Sequence, residues 1–122
     1  MLPQDAPKTR RLHFNGFEKN TMYKLDISDR ANYELDKILS YITKDLDAPQ
    51  AASDFIDEVY KCYDRLENNP YIFEECRDTR LQSEGYRRAV IKNYVVLYKI
   101  HNQELVIVHH FFYGGQDYEK LV

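Results

Sequence analysis

The apolar residues Ala31, Leu35, Ile38, Leu39 and Ile42 recur with the spacing of one helical face. Ser28 or Asp29 stands just ahead of them, and either side chain can accept an amide proton that a helix start leaves free. Asp29 and Glu34 place negative charge toward the positive helix start. The pattern predicts a helix to about Asp47, because Ala48 precedes Pro49 and the residue before proline is driven from helical angles. Pro49 suits the first turn of a second helix. There Ala52, Phe55, Ile56, Val59, Tyr63 and Leu66 form the apolar stripe, while Asp54, Asp57, Glu58, Lys61 and Asp64 lie mostly on the wet face. Asn68-Asn69-Pro70 ends it. So short a connection predicts an antiparallel helical hairpin.

Ahead of the hairpin, Tyr23-Lys24-Leu25-Asp26-Ile27 reads as a strand. Residues 1–21 contain Pro3, Pro7 and Gly16 and show no sustained period. They read as an N-terminal extension, an alternative start or a loose tail, with Met22 opening a folded domain over 22–122. Behind the hairpin, residues 70–85 look irregular, and Gly85 opens three strands. These are Tyr86 to Ile91, Tyr94 to Ile100 and Glu104 to Tyr113, joined by Lys92-Asn93 and His101-Asn102-Gln103. Such short links demand antiparallel pairing. Gly114-Gly115 breaks the last strand, and Asp117 to Val122 has room for one helical turn. The expected fold is α+β, in the order β-α-α-β-β-β, an antiparallel sheet with the two-helix hairpin on one face. The other face is expected to be open and to carry function.

Composition narrows the class. The chain has 122 residues, the size of one domain, and is 43% hydrophobic and 30% charged, which is globular. Met1 to Arg11 has no apolar run and no window reaches membrane-spanning length, so no membrane role is expected and the cytoplasm is the expected compartment. Cys62 and Cys76 lack metal-type spacing and read as free thiols. Glycine-rich phosphate loops, nucleophile elbows and metal motifs are missing, so neither cofactor nor metal is expected. The net charge of −3 hides an asymmetry: residues 28–68 carry five basic and ten acidic groups, residues 77–101 six basic and two acidic. The basic segment can seat an acidic partner or a phosphate backbone, or it can charge a strand edge against unwanted pairing.

Five strings, in this order and spacing, resemble the RelE/ParE toxin superfamily over residues 22–122. They are Tyr23-Lys24-Leu25-Asp26-Ile27-Ser28, Leu66-Glu67-Asn68-Asn69-Pro70, Gly85-Tyr86-Arg87-Arg88, Lys92-Asn93-Tyr94-Val95-Val96-Leu97-Tyr98, and Phe112-Tyr113-Gly114-Gly115-Gln116-Asp117-Tyr118-Glu119-Lys120-Leu121. The resemblance implies the toxin of a bacterial type II toxin–antitoxin system, held inactive by a cognate antitoxin that lays an extended or helical segment over it. It also implies one of two activities. RelE-like members enter the ribosome and promote messenger RNA cleavage without a metal; ParE-like members inhibit DNA gyrase.

Metal-free RNA cleavage needs a base, a phosphate-stabilising cation and an acid. The resemblance makes Arg88, Lys92, His110 and Tyr113 the candidate catalytic groups. Where RelE-like members often carry Arg, this chain has Val95, Gly115 and Gln116. The net negative charge also suits an RNA-bound enzyme poorly. The expectation therefore leans to ParE-like inhibition of a protein target, with growth inhibition and plasmid stabilisation as its outcome. A ribosome-dependent endonuclease, or a degenerate toxin that only binds its antitoxin, are the alternatives. Arg87, Arg88, Lys92, Val95, Leu97, Tyr113, Gln116 and Tyr118 are the candidate contacts for target or antitoxin. Strand alternation puts Arg88, Val90 and Lys92 on the exposed face and Arg87, Ala89 and Ile91 toward the core. Arg87 is expected to pair with a carboxylate such as Asp117. Adjacent His109 and His110 are expected on opposite faces, and Tyr98 in the core.

Overall fold

Ser28 starts the helical hairpin with both ends of its hydroxyl in use. Its Oγ accepts the Ala31 amide at 3.0 Å and donates to the His109 carbonyl at 3.1 Å, which pins the helix start to the sheet. The computed structural model describes residues 22–122, so the extension expected over 1–21 lies outside the described residues. Strand β1 is Lys24–Ile27 and helix α1 is Asp29–Ser40. One π-helical turn, Tyr41–Asp45, follows, and Asp47 turns the chain at φ 50°. Helix α2, Pro49–Asn68, has Pro49 in its first turn as expected.

Three further strands complete the sheet: β2 Arg87–Ile91, β3 Tyr94–His101 and β4 Leu105–Tyr113, in the order β1-β4-β3-β2. The meander is antiparallel, but β1 runs parallel to β4, from Lys24 opposite Leu105 to Ile27 opposite Val108. The sheet is therefore mixed, which corrects the all-antiparallel expectation. Short turns dictate the direction of β2, β3 and β4. No short link ties β1 to a neighbour, so its partner is set by where the hairpin packs. The main core lies between hairpin and sheet, around Leu25, Phe55, Val59, Leu66, Tyr98 and Val108. The Tyr98 hydroxyl donates to the Pro70 carbonyl at 2.5 Å.

The face expected to be open is largely covered by the chain itself. Residues 70–85 form a strap rather than an irregular loop: a 3-10 turn at Pro70–Ile72, a single bridge between Glu75 and Arg87, and helix α3, Thr79–Ser83. Asp78 caps α3 by accepting the Leu81 amide at 3.0 Å, and Gly85 takes φ 92° to enter β2. A last turn, Tyr118–Lys120, lays the Tyr118 ring flat on Phe112 with centroids 5.7 Å apart. Arg80 ties strap to tail, donating to the carbonyls of Glu119 at 2.6 Å and Val122 at 3.1 Å. Cys76 and Leu81 of the strap close over Tyr86, Val95, Leu97 and Phe112 in one buried cluster. At 3% and 0% exposure, Val95 and Leu97, expected above as contacts for target or antitoxin, are buried in the core of the free chain. The reason is visible in β3, whose Val95, Val96, Leu97 and Tyr98 are all buried, as in a strand covered on both faces.

Candidate functional site

A groove of about 840 Å³ runs between α1 and the end of β4. One wall is the outer stripe of α1, Arg30, Tyr33, Glu34 and Lys37, continued by Tyr41 of the π-helical turn. Opposite stand His110, Tyr113 and Gln116, three of the residues singled out from sequence. Tyr33, Tyr41 and Tyr113 are about half exposed, and Arg30 and Lys37 bracket the Tyr33 ring at 5.7 and 5.5 Å. Tyr113 leans edge-on to Tyr94 at 5.9 Å. This α1 wall was missed in the sequence because a helix's wet face normally carries charge and needs no further reason. The signal was there: two tyrosines, Tyr33 and Tyr41, on the polar side of an amphipathic helix.

Along the floor, β1 stops pairing with β4 at Val108. Beyond it, side chains replace a neighbouring strand. Ser28 donates to the His109 carbonyl, Glu34 Oε1 accepts the Phe111 amide at 2.9 Å, and Gln116 Oε1 accepts the Tyr113 amide at 2.8 Å. Glu34 Oε2 meets Arg30 Nε at 3.1 Å and His110 Nδ1 at 3.3 Å.

On the second face, Arg88, Lys92, Tyr113 and Tyr118 line a shallower depression of about 310 Å³, with Gly114 and Gly115. A Cβ on Gly115 would lie 2.6 Å from the Tyr113 ring, so glycine lets that ring fold back between depression and groove. Lys92 is an exposed turn residue at φ 52°. Arg88 is engaged already: its Nη1 donates to Glu74 Oε2 at 3.2 Å. Arg87 lies in neither recess. Its Nη2 donates to the Phe73 carbonyl at 2.8 Å, its Nη1 stands 3.6 Å from Glu75, and its guanidinium covers the Tyr71 ring. Glu75, not Asp117, is thus its carboxylate; Asp117 pairs with Lys120 at 3.3 Å. The strap brings Glu75 there, which spacing along the chain does not reveal.

The two histidines do not point to opposite faces. Leu97 pairs with His110 and Tyr98 with Val108, so His109 is the extra residue of a bulge. Its ring packs edge-on to Tyr86 at 5.6 Å, while His110 stacks on Phe112 at 5.1 Å. Tyr86 and Phe112 belong to the same second cluster. Burial, with Lys99, His110 and His101 close by, pulls the His109 pKa from 6.5 down to about 4. The folded chain therefore holds His109 neutral where the unfolded chain would be protonated. Stability should fall as pH drops from about 6.5 toward about 4. Denaturation midpoints measured across that range should show the slope in the native chain and lose part of it in His109→Gln.

Burial raises the Cys62 thiol to about 12 and the Cys76 thiol to about 11, so both stay protonated. Among the described residues, no group of three or more His, Cys, Asp or Glu is placed to hold a metal ion. No helix of the described residues is long and apolar enough to cross a membrane.

Comparison with known proteins places this architecture. A family model, the ParE toxin of type II toxin-antitoxin system, parDE, matches residues 25–118. No curated protein gives a significant sequence match. A chain of the chromosomal ParDE toxin–antitoxin system from P. aeruginosa superposes with a TM-score of 0.61 at 13% identity, covering 76% of this chain and 97% of that one. A chain of the toxin–antitoxin complex RelBE2 from Mycobacterium tuberculosis gives 0.51 at 16% identity, covering 75% and 98%. These likenesses show the fold, and the family match spans nearly all of it: the chain belongs to the ParE toxin family and is the toxin component of a type II toxin–antitoxin system.

Proposed function

We propose that this toxin works in the cytoplasm by binding a protein target, with DNA gyrase the target that its family suggests, and that a cognate antitoxin silences it by covering the same molecule. The observation that carries the reading is the groove beside β4, where Tyr33, Tyr41 and Tyr113 expose aromatic surface rimmed by Arg30 and Lys37. Aromatic and arginine side chains around a recess are what protein interfaces are enriched in. Release from the antitoxin would then slow growth and, on a plasmid, favour its retention.

A second reading has its own observation. Arg88, Lys92 and Tyr113 line one depression, a cation pair and a hydroxyl of the kind RNA cleavage uses. Against it stands the ion pair of Arg88 with Glu74. The two readings separate in parallel assays. Purified toxin should inhibit gyrase supercoiling and leave messenger RNA intact on translating ribosomes; codon-positioned cuts would reverse the assignment. Lys92→Ala should leave toxicity intact on the first reading and lower it at least tenfold on the second. Its stability should change by under ~0.5 kcal/mol, since Lys92 is exposed.

A further inference from the structure

Glu34 occupies the position that a neighbouring strand would take. We propose that it is a displaceable latch on the free edge of β4, and that an extended segment of the antitoxin replaces it by pairing with residues 109–113. This rests on reading the groove as a protein-binding surface. Three edge groups of this stretch are held by side chains: the His109 carbonyl by Ser28, the Phe111 amide by Glu34 and the Tyr113 amide by Gln116. They alternate along β4, which is the spacing at which an added strand makes its own bonds.

A bare strand edge invites pairing with any chain, so a free toxin needs it closed. Side chains close it reversibly, where a strand of the toxin's own would close it for good. Glu34 sits at the centre of the three and has somewhere to go. Its carboxylate already meets Arg30 one helical turn earlier, so the ion pair survives when the Phe111 amide is surrendered. Five residues of an extended segment span ~17 Å, the length of the capped edge. The groove sets the chemistry of that segment. Alternate apolar side chains would face Tyr33, Tyr41 and Tyr113, and acidic ones would meet the exposed Arg30 and Lys37.

Amide hydrogen exchange on the full-length toxin, alone and with its cognate antitoxin, tests this. Alone, the Phe111 amide should be protected in the native chain and in Glu34→Gln, which keeps an acceptor oxygen, and should exchange faster in Glu34→Ala. In the complex it should be protected in all three. With its internal competitor removed, Glu34→Ala should bind the antitoxin about three- to tenfold tighter. A complex that forms without protecting Phe111 in Glu34→Ala, or an affinity unchanged by that substitution, overturns the latch and leaves the toxin–antitoxin assignment intact. Failure of native toxin and antitoxin to associate overturns both.

Discussion

Phe55→Ala should cost about 3–5 kcal/mol of folding stability, a large share of what a domain of this size possesses. Phe55 is 1% exposed, stands about two turns into α2 and packs its ring 5.0 Å from that of Tyr94. Alanine there removes the ring and leaves a cavity that the rigid sheet beneath cannot close. The thermal midpoint should drop by roughly 15 °C or more, since ~1 kcal/mol moves a domain of this size by ~4–8 °C. Ile38→Ala should cost far less, about 1 kcal/mol, because Ile38 is only half-buried at the groove wall and its loss is partly refilled by solvent. Urea titrations of the two variants decide it; equal losses would mean that the groove side of α1 is as tightly packed as the core side of α2.

Leu97→Ala should cost about 2–4 kcal/mol, and this separates a core role from a binding role. The sequence pattern made Leu97 a contact for a partner. The structure buries it completely beneath the strap and the Tyr118 turn. If it is core, the midpoint in urea falls while residual folded protein still binds antitoxin with native affinity. A variant of full stability that loses antitoxin binding would mean that the cover lifts in solution and that the second face is the docking surface after all.

These two residues mark where sequence reading succeeded and where it did not. Phe55 was legible because the period of α2 is a local property, repeated over five turns. Leu97 was not, because a strand with one covered face and a strand with two differ only in what lies above them. The strap has too little regularity to announce itself: a five-residue helix and one bridge. Of the candidate site residues, Arg88, Lys92 and Tyr113 line one depression, while His110 and Gln116 line the groove and Arg87 binds the strap. The bulge at His109 follows from pairing a nine-residue β4 against an eight-residue β3 along their full lengths. That mismatch can be counted only after the strand ends are known.

By itself the sequence determined the order of elements, the hairpin with its Ser28 cap and its Pro49 helix start, and the meander, because each depends on residues within a few positions of one another. The tertiary structure alone decided the parallel β1–β4 pair, the filling of the second face and the aromatic groove between α1 and β4. Each of those joins segments tens of residues apart, and such contacts are chosen by which apolar surfaces can be covered at once, a property of the whole chain that no local pattern carries.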